Sequence, residues 1–344
     1  MKKVRVGVIG LGMGKSHLRH FSKCKSAEIT AICDLDETML SAVKEEYNAP
    51  FAFTDYKKML KLKELDAVSI VTPNVFHAAM SIEAMRKGKH VLCEKPMAMN
   101  ARQAKRMVEE AKKHKRKLMI HFNQRYSPGA EYIKKTVLQG GLGEIYYLKT
   151  GWLRQMGAPM RASFTDKAFS GGGPLIDLGV HRLDFVLWLL GYPKALTVSS
   201  GVFDKIAGDK FRRKGLKYDV EDLGVAMIRL DTGAVLMLEA SWATMIKCKE
   251  EMNTMIYGTK GSFEQKSIDY KVVEFKFINE TEDKIVEVTP KITGKPGTAQ
   301  QHFVDCIIND REPDVSGEHG LEIMKILDGI YKSSRMGREV KIIH

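Results

Sequence analysis

Val4-Arg5-Val6-Gly7-Val8-Ile9-Gly10-Leu11-Gly12-Met13-Gly14 is the stretch from which the fold is read. Val4 to Ile9 is a short apolar run of the kind that forms a strand buried on both faces. It passes directly into a glycine turn, and a helical pattern follows from about Lys15 to Cys24. Strand, glycine turn and helix together place unpaired N–H groups and a positive dipole end where a phosphate can sit. Gly10 permits the tight turn, and Gly12 lets the backbone approach a pyrophosphate. Gly14 arrives one residue earlier than the third glycine of the G-x-G-x-x-G pattern.

Working outward, Ile29 to Cys33 predicts a second strand that ends in Asp34. A carboxylate there accepts hydrogen bonds from both hydroxyls of an adenosine ribose and repels a 2′-phosphate. No arginine follows in Leu35-Asp36-Glu37, so NAD is preferred to NADP. The competing use of Asp34 is to cap the next helix, a task equally open to Asp36. Helical and apolar strand patterns then alternate: Met39 to Tyr47, Ala67 to Val71, Val75 to Lys87, His90 to Cys93, Ala101 to Lys113, Leu118 to Phe122. Such βα repetition predicts a parallel sheet with its ligand outside the strand C-termini. Two of those ends carry Thr72-Pro73-Asn74 and Glu94-Lys95-Pro96. A lysine at that edge lies near the nicotinamide end of a dinucleotide, where burial and a cationic neighbour lower its pKa.

The alternation stops after Asn123-Gln124-Arg125-Tyr126, and Ser127-Pro128-Gly129 marks a junction, so the expected domains are residues 1–122 and 123–344. The second part mixes a helix from Ala130 to Gln139 with long strands, an α+β pattern, and Ile323 to Ser334 closes the chain as an amphipathic helix. Within it, Gly171-Gly172-Gly173-Pro174 opens a helix from Leu175 to Leu190 that is apolar nearly all round. Such a helix is normally buried, so its few polar side chains need a partner or a task. Asp177, His181 and Asp184 fall on one face at i, i+4 and i+7. A carboxylate one turn before an imidazole fixes its tautomer and raises its basicity, which is what a general base requires. A solvated stripe, or a core histidine paired with a carboxylate, is the alternative. Leu223 to Leu230 and Ala234 to Trp242, joined by Asp231-Thr232-Gly233, read as a hairpin. Leu223, Val225 and Met227 on one face and Ala226, Ile228 and Leu230 on the other are apolar. Two apolar faces need two covers, helices of the same chain and a second subunit, so a homo-dimer or homo-tetramer is expected.

The 344 residues suffice for two domains with sizeable cores. Five scattered cysteines without a CxxC pair point to reduced thiols rather than a disulfide framework, and no metal site is expected. The N-terminal apolar run is too short and glycine-broken for a leader, and no segment approaches the ~20 apolar residues of a membrane span. A soluble, cytoplasmic protein is expected. The net charge of +13 gathers in Lys112 to Lys117 and Lys205 to Lys217. Neither run interleaves aromatics in the manner of a nucleic-acid site, so both read as solvated surface.

These pieces together resemble the Gfo/Idh/MocA family, named for glucose-fructose oxidoreductase, inositol dehydrogenase and a rhizopine-catabolism protein. The matching residues are Ile9-Gly10-Leu11-Gly12 with His17, Thr72-Pro73-Asn74 with His77, Gly88 through Pro96, Arg125-Tyr126, and Gly171-Gly172-Gly173 through Asp177 and His181. Val220-Glu221-Asp222, Glu239 through Trp242 and Ile256 through Gly261 continue the likeness. The resemblance implies an α/β chain: an N-terminal Rossmann domain with a doubly wound parallel sheet, then a C-terminal α+β domain with an open, mostly antiparallel sheet. It implies NAD held by Gly10, Gly12, Met13, Gly14, Asp34, Thr72, Pro73, Asn74, His77, Glu94, Lys95 and Asn123. Lys95, Asp177 and His181 match the family's catalytic lysine, aspartate and histidine. Oxidising a secondary alcohol needs its proton removed as hydride leaves, so His181 is the expected base, Asp177 orients it, and Lys95 steadies the alkoxide. A polyhydroxylated sugar, sugar derivative or inositol is the implied substrate, bound by Lys95, Arg125, Trp152, Arg154, Asp177 and His181. Arg161 and the basic loop Lys205 to Lys217 are further candidates, the loop for an acidic sugar. Two rivals are NAD-dependent glycoside cleavage by oxidation and elimination, and a non-catalytic NAD or sugar sensor. The set of Lys95, Asp177 and His181 argues against the sensor.

Overall fold

The computed structural model describes residues 3–281, 284–292 and 297–344. β1 (Val4–Ile9) forms where its apolar run predicts and is buried at all but one position. It lies between β2 (Ala27–Cys33), flanked in turn by β3 (Phe51–Phe53), and β4 (Ala67–Ile70), which leads to β5 (His90–Cys93) and β6 (Leu118–Ile120). The sheet order is β3-β2-β1-β4-β5-β6, and every pair is parallel. That is the doubly wound order, whose direction reverses between β1 and β4, the place where such sheets bind ligands. Helix α1 (Gly14–Phe21) follows β1 and helix α2 (Glu37–Tyr47) follows β2. Asp36 caps α2, its carboxylate accepting from Met39 N at 2.9 Å, which leaves Asp34 free of capping duty.

The chain divides into two compact units, with a late segment joined to the first. The first unit comprises Met1–Asn123 together with Gly297–Met324, so the chain returns to it near the end. The returning helix Ala299–Ile308 buries Phe303, Val304 and Cys306 and packs on α1. Its apolar face needs that cover, a requirement that no linker composition announces.

The second unit comprises Gln124–Pro296 and Lys325–His344. Its sheet holds β7 (Ile145–Arg154), β8 (Ala195–Phe203), β9 (Leu223–Leu230), β10 (Val235–Ser241), β11 (Glu250–Gly258), β12 (Gly261–Ile268), β13 (Lys271–Thr281), β14 (Lys284–Val288) and β15 (Val340–Lys341). The order is β14-β13-β12-β11-β7-β10-β9-β8-β15, antiparallel except for the parallel pair β7/β10. The hairpin β9–β10 forms as expected, with Met227 opposite Met237. One face of this sheet is covered: Ala226, Ile228 and Leu230 of β9 and Leu236, Leu238 and Ala240 of β10 are buried, and the helix Val180–Leu189 is buried at every position. On the opposite face Leu223, Val225, Met227, Val235 and Met237 are only half-buried, and Tyr147 stacks on Tyr257 with centroids 5.6 Å apart. Among the described residues no helix is long and apolar enough to cross a membrane.

Candidate active site

The first unit's contribution begins at the glycine turn. Gly10 has φ +88, and a Cβ there would come within 2.5 Å of the Val71 carbonyl oxygen, so two requirements fall on one residue. A Cβ at Gly12 would meet nothing within 4 Å, which leaves its backbone open to a ligand. At Gly14 a Cβ would lie 3.0 Å from Val8, so the early third glycine still brings helix and strand together. Asp34, half-buried at the end of β2, accepts from Leu11 N at 2.6 Å and from Asp36 N at 3.0 Å. The open backbone, the helix N-terminus and this carboxylate fit an adenine dinucleotide.

Two residues expected to touch that dinucleotide are occupied inside the unit. His77 is buried, with its ring nitrogens 2.7 Å from the carbonyl oxygens of Pro96 and Thr72. It ties together the loops that follow β4 and β5. Glu94 is buried too, its Oε1 2.8 Å from His17 Nε2 and 2.7 Å from His121 Nδ1. Burial pushes its carboxyl up, but the neighbouring His121 and N–H bonds from His121 and His17 hold it well below the ordinary range. Hydrogen bonds account for all four ring nitrogens: the Ser69 hydroxyl lies 2.8 Å from His17 Nδ1, and the Gln300 amide nitrogen 3.1 Å from His121 Nε2. These three side chains bring ligand atoms within 4.8 Å of one another, as a metal site would, yet the network already satisfies them. His121 and Gln300 escaped sequence reading. The available signal was that His121 follows β6 as Glu94 follows β5, and ends of adjacent parallel strands are neighbours.

Lys95 is fixed from both sides. Its backbone N–H donates to Glu94 Oε2 at 3.1 Å, and the cis peptide to Pro96 leads to the carbonyl beside His77. Thr72 and Pro73 precede the helix Asn74–Arg86, which Asn74 opens; Met13 and Asn123 are exposed.

In the second unit, the glycine run has a packing cause. Cβ atoms at Gly172 and Gly173 would lie 2.0 Å from Tyr331 Oη and 2.1 Å from the Glu221 carbonyl oxygen. The Glu221 carboxylate accepts from Leu175 N at 3.1 Å and from the Tyr331 hydroxyl at 2.9 Å, so it anchors the start of the helix. The expected continuous helix is a π turn, Leu175–Gly179, followed by the α-helix Val180–Leu189. The wider turn breaks the even i, i+4, i+7 spacing, and Asp177 and Asp184 have different partners. Asp177 Oδ2 accepts from the Trp242 indole N–H at 3.1 Å, whereas Asp184 is fully buried against Arg125, whose Nε donates at 2.8 Å, and the Tyr192 hydroxyl. Arg125 is therefore spent inside this unit, as a buried ion pair, rather than presented to a substrate. His181 is buried, its ring 5.8 Å from that of Trp152, and the Arg154 guanidinium lies 5.4 Å over the Trp152 ring. Asp222 accepts from the backbone N–H groups of Lys205, Ile206 and Ala207, tying down the basic loop.

Residues 4–122 match the family described as oxidoreductase family, NAD-binding Rossmann fold, and residues 134–342 match its C-terminal alpha/beta domain. The chain belongs to the Gfo/Idh/MocA oxidoreductase family. Residues 4–122 of its first unit are the family's NAD-binding domain. Among this Gfo/Idh/MocA protein's relatives are D-glucoside 3-dehydrogenase of Escherichia coli, 34% identical over 75% of each chain, and myo-inositol 2-dehydrogenase of Thermotoga maritima, 26% identical over 75% of this chain and 74% of the other. A solved levoglucosan dehydrogenase in complex with NADH has the same fold, with a TM-score of 0.88 at 23% identity over the full length of both chains.

Proposed function

We propose that this oxidoreductase removes hydride and proton from a secondary alcohol of a sugar, sugar derivative or inositol. NAD, when bound, accepts the hydride. One observation carries the reading: along a buried helical segment whose other charged side chains, Arg182 and Asp184, are already paired, Asp177 and His181 sit one turn apart, each beside a tryptophan. In this reading His181 takes the hydroxyl proton, and Asp177 orients the ring and offsets the charge it gains. The Lys95 ammonium donates to the oxygen on which negative charge develops. Met13, Thr72, Pro73, Asn74 and Asn123 are assigned, with the glycine turn and Asp34, to the dinucleotide. Trp152 and Arg154 are assigned to the substrate.

The half-buried face around Met227 and Met237 is assigned to a second copy of the chain, giving a dimer or tetramer, because an apolar sheet face needs a cover. The five thiols are unpaired, and burial pushes Cys24 and Cys33 up to about 11 and about 12, which suits a reducing, cytoplasmic setting. The functional test is a panel of sugars, polyols and inositols assayed for NADH formation. Turnover of one or more with NAD supports the assignment; none turned over, with NAD bound, refutes it.

A further inference from the structure

We infer that the Arg154–Glu250 pair neutralises the substrate wall of the second unit, so that the enzyme selects uncharged sugars and polyols over uronates. This specifies the substrate class within the function proposed above and rests on that reading.

β7 turns Thr150, Trp152 and Arg154 to the face that carries the helix Val180–Leu189. From His181 the row runs through the Trp152 ring to the Arg154 guanidinium stacked on it. An unpaired arginine in that position would be the natural partner of a substrate carboxylate, through a bidentate, charge-assisted bond. Here it is already paired. The β7/β11 register sets Glu250 directly opposite Arg154, whose Nε donates to Glu250 Oε2 at 2.8 Å. Glu250 is only 3% exposed, and its backbone N–H is held by Asp269 at 3.0 Å, so the carboxylate is a fixed part of the wall.

Three further cations of this unit have partners of their own. Arg182 is buried and directs its N–H groups to the Thr150 and Thr254 hydroxyls and the Asn253 carbonyl of the sheet and to the Gln124 side-chain oxygen. In the basic loop Arg212 pairs with Asp204 and Asp209, and Lys217 with Asp166 and Asp219. The row also offers a neutral donor: the buried indole N–H of Trp152 has no hydrogen-bond partner among the described residues. A hydroxyl or ring oxygen satisfies a single N–H. A carboxylate would also need a counter-charge, and Glu250 has taken it.

The test compares kcat/KM for methyl β-D-glucopyranoside and methyl β-D-glucuronide, with calorimetric titration of both in the presence of NADH as a readout that needs no turnover. The wild type is expected to favour the glucoside by about 10² or more, since an added unpaired charge is rejected strongly. Glu250→Gln uncovers Arg154 and should move the ratio about 10- to 100-fold toward the glucuronide. The double variant Arg154→Gln with Glu250→Gln, neutral again, should restore the preference. A wild type that accepts the glucuronide as well as the glucoside overturns the inference even if no variant folds. So does a folded Glu250→Gln with an unchanged ratio. If neither sugar yields NADH but the calorimetric ratio behaves as stated, the charge selection stands and the oxidoreductase assignment is what fails.

Discussion

Asp34→Asn separates the two tasks that the structure gives one carboxylate. Asp34 anchors the glycine turn through Leu11 N at 2.6 Å and stands where the adenosine ribose is expected. Asparagine keeps an oxygen for Leu11 but loses the charge and one acceptor. Hydrogen bonds to a charged group contribute about 1.5–3 kcal/mol, so losing the ribose contact weakens NAD roughly 10- to 100-fold. In the other direction, a 2′-phosphate about 4 Å from a carboxylate is opposed by about 4 kcal/mol at an effective dielectric of 20. Asp34 is only half-buried, and salt screening reduces that repulsion to ~1–2 kcal/mol, so NADP gains about tenfold. The NAD-to-NADP ratio should therefore fall by about 10² to 10³. Calorimetric Kd values for both nucleotides at fixed ionic strength, with melting curves to confirm folding, measure this directly. A wild type that binds NADP as tightly as NAD refutes the reasoning, as does a folded Asp34→Asn with the ratio unmoved.

Other substitutions probe the remaining parts. Glu94 has a depressed folded pKa, so its contribution is present at neutral pH and is lost as pH falls from the unfolded value of about 4.3 through the folded one. Glu94→Gln should cost about 1–3 kcal/mol at pH 7 and flatten the acid loss of stability, both read from urea unfolding at several pH values. Gly12→Ala should leave the melting temperature unchanged while weakening NAD at least about tenfold, because the added methyl faces open space where the pyrophosphate approaches. Gly173→Ala, driven against the Glu221 carbonyl, should instead destabilise by about 1–3 kcal/mol, so equal melting temperatures for the two variants would contradict the packing account. Met227→Glu places a charge opposite Met237 on the half-buried face and should shift the oligomer toward monomer by light scattering; a wild type already monomeric at micromolar concentration removes that assignment.

The nucleotide-binding half was legible because two independent signals agreed there. The apolar run Val4–Ile9 required a doubly covered strand, and the glycines after it required a turn into a helix. β3 was not legible: three residues, none of them buried, carry no period. Nor was the return of Gly297–Met324 to the first unit, since an amphipathic helix does not name the surface it covers. In the candidate site, Lys95 and His181 stood out because polar residues at strand ends or on apolar helices need an explanation. The split between Asp177 and Asp184 did not, because spacing assumes an ideal α-helix and a π turn breaks that assumption. Arg125 illustrates the same limit: a buried ion pair and a substrate clamp demand the same side chain, and only its partners distinguish them.

The central claim is tested by turnover of His181→Ala on the true substrate with NAD saturating. Loss of a positioned base should lower kcat by about 10² to 10⁴, some 3–5 kcal/mol of barrier, with the Kd for NAD little changed. Asp177→Asn keeps an oxygen for the Trp242 indole yet cannot offset the imidazolium, so it should be nearly as harmful, and the double variant little worse than either. Near-normal turnover by His181→Ala with NAD bound would contradict the account and reduce this helix to a structural element.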